Sequence, residues 1–497
     1  MKELFNKSST FQLDIKPSKF GIKKVLDKYY NFIVIFLIVL ILIAFFDKAL
    51  SLGLIVLAFL MLITFFVLSK LGLKNRTLTW LLVITLIVHL GTVLFIYYFN
   101  FQPFSGGSGG YKTAHLIATE IAENFKQGNF SFEGVPYYEI GDHPYRYYSL
   151  IIGVLYTITM PEIIIGQIFQ VWLAILAIIF FYLIIRELGL SKKWAFLMGL
   201  AVTFYPSYLF YSSLLLKDGL VVVLALAGLF FSLKIIKKFS WKYFLIFYIS
   251  LGLLINFRMY VGYALLFSFI LSWILLAELS SLRKKVAYAI IIIFLLGLLP
   301  EISINQGFYG IDTFKNFFKP ETISFYQQEA YFPASESNGS SVSGPGSSED
   351  SDNFIIAGKE SKINSEEIIG YGSSWSKEEV NFKERPFRYL LNEFKYFIYV
   401  LFGPSPWQMK KPVHFFALIE TIPWYVLFLF IIRGIYQSIK GRNKLVFPLI
   451  LFSLMVLLPI AIYVSNFGII TRIRVPAFIA LLPLIPLGFT RLNTASQ

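Results

Sequence analysis

The stretch LTWLLVITLIVHLGTVLFIYY, Leu78 to Tyr98, is followed after two residues by FQPFSGGSGGYKTAHLIATEIAENFKQGNFSFEGVPYYEIGDHPYRYY, Phe101 to Tyr148. The first holds no Asp, Glu, Lys or Arg and is long enough to cross about 30 Å of hydrocarbon as a helix that satisfies its own backbone hydrogen bonds. The second is polar, glycine-rich and in parts acidic, with further long apolar runs on its far side. A span that delivers the chain into such a loop makes this an all-α polytopic membrane protein. It also marks the loop as the place for chemistry, because ionisable and aromatic groups gather there at the membrane edge.

Composition agrees. Hydrophobic residues make up 57% of the 497, charged residues 15%, and the mean hydropathy is +0.68, far too apolar for a soluble domain of this length. No period-two alternation of the kind a membrane β-barrel needs is present. The net charge of +15 does not point to nucleic acid, since the basic residues stand in short clusters at the ends of apolar runs, where they act as topology signals. With no cysteine in the chain, disulfides and thiolate metal sites are excluded.

The apolar runs predict about twelve spans: 30–46, 50–68, 78–98, 163–185, 194–213, 220–234, 241–257, 260–279, 286–304, 415–432, 445–464 and 475–487. The positive-inside bias puts the Lys-rich tail 1–29, in which no cleavable signal peptide is expected, and the short tail 491–497 in the cytoplasm. The same bias puts Arg186, Lys192, Lys193, Lys237, Lys238, Lys242, Arg283, Lys284, Lys285, Arg433, Lys440, Arg442 and Lys444 there too, provided that Leu150 to Met160 dips into the membrane without crossing. The chain then divides into three spans (30–99), a first extracytoplasmic loop with amphipathic helices (100–162), six spans (163–305), a second extracytoplasmic loop (306–413) and three last spans (414–490). Within the second loop, Ala334 to Asn353 is Ser/Gly-rich and without a basic residue, the composition of a disordered segment. A structured return is expected from Arg385, its apolar part Phe394 to Phe402 lying at the interface until Gly403-Pro404-Ser405-Pro406 stops the helix.

Four cations are left on the outer side against the charge bias: Lys217, Arg258, Arg472 and Arg474. Cations grouped at the outer ends of spans suit an anionic ligand such as a phosphate, which Arg grips with two parallel hydrogen bonds. Their plainer alternative is pairing with a local acid or snorkelling to head groups, and Lys217 and Asp218 are placed to neutralise each other.

The order of four segments, Gly106 to Phe130, Tyr145 to Ile158, Phe181 to Leu220 and Asn466 to Leu484, resembles the GT-C superfamily of membrane glycosyltransferases, in the bacterial branch related to protein mannosyltransferases and the aminoarabinose transferase. The resemblance covers most of the spans and weakens in the second loop. It implies a GT-C-like fold in a bacterial or archaeal cell membrane. It also implies a polyprenyl-phosphate sugar donor, a glycan, lipid or protein acceptor of the cell envelope, and an extracytoplasmic acid that serves as base or metal ligand. That acid follows a glycine pair in a pattern like Gly-Gly-Asp-Gly-x-x-Tyr. Here the run is Gly106-Gly107-Ser108-Gly109-Gly110-Tyr111, with Ser108 in the place of the carboxylate.

A serine hydroxyl is neither a base near neutral pH without an activating partner nor a strong ligand for a hard cation. Another acid is therefore needed, and the loop offers Glu120, Glu123, Glu133, Glu139 and Asp142, with His115 and His143 able to titrate. Glu120 and Glu123 lie on a helix face best explained by solvation. Asp142 and His143 are the preferred catalytic pair, next to Arg146, although Asp142 followed by Pro144 also has the form of a helix start. Tyr111 and Arg146 join Lys217, Arg258, Arg472 and Arg474 as substrate- or phosphate-binding candidates. No metal site is patterned; a divalent cation, Mg or Mn, enters only through the role that the resemblance implies. Two alternatives stand beside sugar transfer from a lipid phosphate. One is a polysaccharide polymerase or ligase acting on pyrophosphate-linked oligosaccharides. The other is a catalytically degenerate lipid-glycan binding or transport protein, kept open by Ser108.

Overall fold

The structure, a computed structural model, describes residues 41–73, 75–101, 108–130, 146–276, 386–406, 417–441, 443–464 and 467–489. The first span in part, the span 286–304, most of the second loop with Ala334 to Asn353, and both catalytic candidates Asp142 and His143 lie outside them. Among the described residues the chain is helical throughout. Seven helices are long and apolar enough to cross a membrane, and an eighth crossing is made if one bent pair counts as a single span.

The first two spans, α1 (Lys48–Lys70) and α2 (Arg76–Phe99), are each started by a capping side chain: Asp47 accepts from the Leu50 amide at 2.8 Å and Asn75 from the Leu78 amide at 2.9 Å. Such caps satisfy amides that the first turn leaves without a partner. The pair is clasped at its far end by Tyr98, whose hydroxyl donates to Asp47 at 2.8 Å. Two shorter helices follow in the first loop, α3 (Ser108–Lys126) and α4 (Arg146–Ile158). The 13 residues of α4 reach about 20 Å at 1.5 Å per residue, less than the thickness of the hydrocarbon core.

The centre of the bundle is α5 (Ile163–Glu187) and α8 (Asp218–Lys237), which pack on each other and are the most enclosed spans. Around them stand α9 (Trp241–Phe257), α10 (Met259–Leu276), α12 (Leu418–Lys440) and α13 (Phe447–Tyr463). Neutral hydrogen bonds tie the spans where apolar surface gives no preference of position. The Trp172 indole donates to Thr64 at 2.9 Å, and Thr85 meets Thr203 at 2.9 Å. At the basic end of the bundle Glu187 takes both Lys234, at 2.7 Å, and Lys237, at 2.8 Å.

Two expected continuous spans are broken. Residues 194–213 form α6 (Lys192–Thr203) and α7 (Pro206–Tyr211), which together carry the chain from the basic end to Asp218. Proline excludes the preceding residue from helical geometry, and Tyr205 is accordingly extended, with φ −66° and ψ 113°. The last span starts earlier than 475: α14 (Phe467–Ile473) and α15 (Val475–Leu481), with the 3₁₀ turns that follow, bend by 50° about Arg474. Pro476 has no N–H to offer the Arg472 carbonyl, and a ladder that loses a rung there kinks.

Helix α11 (Pro386–Phe402) exposes Phe387, Leu390, Leu391 and Phe394 and buries Tyr396, Val400 and Leu401. This amphipathic pattern fits the expected interfacial return, and the helix ends just before Gly403 and Pro404. The other end of the chain is packed without room to spare. A Cβ added at Gly434 of α12 would lie 1.9 Å from the Leu484 carbonyl oxygen, so Gly434→Ala is expected to cost roughly 1–3 kcal/mol by overpacking. Thermal unfolding in detergent measures it, and an unchanged melting temperature would show that the 482–488 turns yield freely.

Candidate functional site

Three interruptions of helical structure meet at the end of the bundle opposite the basic clusters. Asp218 opens α8, Arg258 sits between α9 and α10, and Arg472 ends α14 next to the Arg474 bend. Asp218 bridges the two arginines. Its Oδ1 accepts from Arg258 Nη2, and its Oδ2 from Arg472 Nε at 2.7 Å. The three side chains keep only 13%, 11% and 11% of their surface exposed, in the order Arg258, Arg472, Asp218. An ion pair this far out of water is not the weak surface kind, because desolvation and Coulomb attraction are both large here.

Two guanidiniums thus converge on the one carboxylate of Asp218. Lys217 is itself buried beside them, and burial together with the Arg258 guanidinium holds its ammonium well below the ordinary lysine range. Asp218, Arg258 and Arg472 line a cleft together with Tyr208, Tyr211, Ser212 and Tyr260. Enclosed guanidiniums beside aromatic walls are a setting in which an anion can be held through charge-assisted hydrogen bonds.

The structure thus brings together Lys217, Arg258 and Arg472 of the four outer cations. It puts Arg474 elsewhere. Its guanidinium is 1% exposed, donates to the Val400 and Gly403 carbonyls at 2.8 and 2.7 Å and to Glu420 Oε1 at 3.0 Å, and lies over the Phe478 ring at 4.6 Å from the centroid. Glu420 also receives the Tyr205 hydroxyl at 2.7 Å, the Ser207 amide at 3.0 Å and the Ser207 hydroxyl. Arg474 is thereby the knot between the end of α11, the first turn of α12 and the start of α7, and it does not line the cleft. Asp218, besides its electrostatic attraction to the adjacent Lys217, binds the two distant arginines.

On the first-loop side, α3 and α4 lie face to face. Tyr111, Ala114, Ala118 and Ala122 recur at helical spacing on the buried face of α3, and a Cβ on Gly153 of α4 would come within 2.6 Å of Ile121. Small residues here allow the close approach. Tyr111, a substrate-binding candidate, is 7% exposed within this packing. Arg146 opens α4. Ser108 opens α3, so the glycine motif leads directly into a helix. Glu123 is exposed, as a solvated face requires, but Glu120 is only half exposed. One Glu120 oxygen is buried without a partner among the described residues, and burial, then Glu123, raises its pKa. His115 Nδ1 meets the Tyr156 hydroxyl at 3.1 Å, and burial lowers its pKa. Among the described residues no group of three or more His, Asp or Glu is placed to hold a metal.

A bridge connects the loop to the charged corner. Gln170 of α5 donates to the Tyr148 hydroxyl of α4 and, at 2.6 Å, to the Leu216 carbonyl just before Lys217. Gln170, Asp218 and Glu420 are the residues that sequence reasoning missed as site-builders. A polar side chain inside an otherwise apolar run was the available signal for Gln170, and an acid at a span start was the signal for the other two.

Residues 142–304, which include Lys217, Asp218 and Arg258, match a family model described as dolichyl-phosphate-mannose-protein mannosyltransferase. None of the curated proteins and none of the solved structures compared matches the chain. The family match supports a membrane glycosyltransferase of GT-C type.

Proposed function

We propose that this GT-C-type chain transfers a sugar from a polyprenyl phosphate to an acceptor of the cell envelope on the extracytoplasmic side. The observation that carries the proposal is the cluster in which Arg258 and Arg472 converge on one carboxylate beside buried Lys217, in a cleft at the end of the bundle away from the Lys/Arg clusters. The positive-inside bias makes that end extracytoplasmic. The acceptor hydroxyl attacks the anomeric carbon, the bond from that carbon to the phosphate oxygen breaks, and the lipid phosphate leaves with the electron pair. Arg258 and Arg472 stabilise the negative charge that develops on it, the electrostatic part of the catalysis. Asp218 holds the two guanidiniums in register until the phosphate shares them.

The proton lost by the acceptor goes to the acid–imidazole pair Asp142 and His143, which precede α4 in sequence. Arg146 and Tyr111 complete the donor contacts from the first loop.

Binding of farnesyl phosphate and of farnesol to the full chain in lipid nanodiscs tests the phosphate site. Farnesyl phosphate is expected to bind at least tenfold more tightly than farnesol, with the difference removed in Arg258→Ala/Arg472→Ala. Equal affinities overturn the proposal, and a preference for farnesyl diphosphate turns it toward the polymerase alternative.

A further inference from the structure

Residues 212–217 join α7 to α8 without being helical, and every one of them is buried. Backbone of this kind at the membrane edge has to find hydrogen-bond partners outside itself, and it finds one on α5. Gly166 and Gln170 stand about one turn apart on the same face of that span. A Cβ added at Gly166 would run into the Leu215 side chain, the Gln170 amide donates to the Leu216 carbonyl at 2.6 Å, and a Cβ added at Gly219 would run into Gln170 Oε1. Leu215, Leu216 and Gly219 are thus seated in succession on α5. Because a carbonyl only accepts, the amide nitrogen points at Leu216 and the amide oxygen is left against Gly219.

Between Leu216 and Gly219 lie Lys217 and Asp218. Asp218 is the first residue of α8, and its two oxygens hold Arg258 and Arg472, the latter at 2.7 Å. Such bonds keep their heavy atoms about 2.7–3.2 Å apart, so the start of α8 has to be held to within about 0.5 Å for one carboxylate to serve both guanidiniums. The Gln170 amide touches the backbone on either side of Asp218 and is placed to hold it so. Asp218 and Gly219 line the cleft while Gln170 stands behind them, and it reaches the cleft only through them. Its other N–H goes to the hydroxyl of Tyr148, a fully buried residue of α4. Helix α4 of the first loop and the start of α8 are therefore registered against one amide.

We propose that Gln170 is a positioning residue of the donor-phosphate site: it fixes the Leu216–Gly219 backbone so that Asp218 aims Arg258 and Arg472, and through Tyr148 it sets α4 against the same point. This role rests on the phosphate reading above and deepens it. Gln170 touches neither donor nor acceptor, and Gly219 is glycine because the amide oxygen occupies the place of a side chain.

The test uses the full chain in lipid nanodiscs and reads the ratio of farnesyl phosphate to farnesol affinity, with the melting temperature measured beside it. Gln170→Met, which loses both N–H bonds at similar volume, should lower that ratio about tenfold and leave farnesol binding unchanged. Tyr148→Phe takes away one of the two anchors of the amide and should lower it about threefold. In the Asp218→Asn background Gln170→Met should lower the ratio no further, because a residue that acts through Asp218 has nothing left to act on. A folded Gln170→Met protein with an unchanged ratio overturns the positioning role whatever its melting temperature. So does a further loss of the same size in the Asp218→Asn background, since both results leave Gln170 a support of the fold alone. If Gln170→Met does not insert into the membrane, Tyr148→Phe decides: the threefold loss upholds the role and an unchanged ratio overturns it. Failure of the phosphate reading looks different: farnesyl phosphate would then bind the unsubstituted protein no better than farnesol.

Discussion

Alanine at both Arg258 and Arg472 is expected to lower sugar transfer by about a thousandfold, with the protein still folded in the membrane. The size follows from what each group does. Removing one preorganised donor to a developing anion costs about 10²–10³ in rate, and two that share one anion are not additive, so the pair falls near the upper figure. The effect is expected in kcat more than in KM, because charge on the lipid phosphate grows as the bond to the sugar breaks. Release of polyprenyl phosphate from a radiolabelled lipid-linked sugar, in membranes holding equal amounts of protein, measures it. Unchanged release would remove the two arginines from the reaction. Asp218→Asn makes a complementary point: it removes the carboxylate that Arg258 and Arg472 share, so phosphate affinity should change while the melting temperature falls, the cost of breaking a buried ion pair.

The second large effect concerns stability. Arg474→Met leaves Glu420 buried with no cation, and Glu420→Gln leaves Arg474 buried with no anion. Each is expected to cost about 3–5 kcal/mol, the usual consequence of breaking one half of an enclosed ion pair. The double change Arg474→Met/Glu420→Gln should recover much of that loss, since neutral groups of similar volume carry no such desolvation cost. Thermal unfolding in detergent gives the three values, and a double variant no better than either single one would show that pairing is not what holds this corner. Activity separates two roles for Arg474. Transfer that returns with stability in the double variant makes it a support for the neighbouring Arg472, whereas transfer that stays lost makes it a phosphate ligand.

Most of the spans were legible because membrane insertion is written locally. A run such as 163–185 or 220–234 must be helical and apolar whatever it packs against, and the structure returns both with their ends moved by a few residues. The two breaks were less legible, although Pro206 and Pro476 announce them, since hydropathy averages over a proline. The interfacial reading of 394–402 came from the prolines that follow it, and the structure adds an amphipathic helix, α11, that ends there. The wide apolar faces of α1 and α12, with Phe59, Leu62, Val426 and Leu429 exposed, follow from the same rule: lipid covers what protein does not.

The site divides along the same line. That a small set of outer cations ran against the charge bias was visible from residue type and position alone, and so was the serine at 108 where the resemblance asks for a carboxylate. Which of the cations act together was not. Asp218 and Arg472 are 254 residues apart in sequence, and Arg474 and Glu420 are 54 apart. Two arginines separated by a single residue are sent to different partners because the chain bends between their helices. Hydropathy and charge belong to segments and survive without a fold, whereas the pairing of buried charges exists only once distant spans close around them.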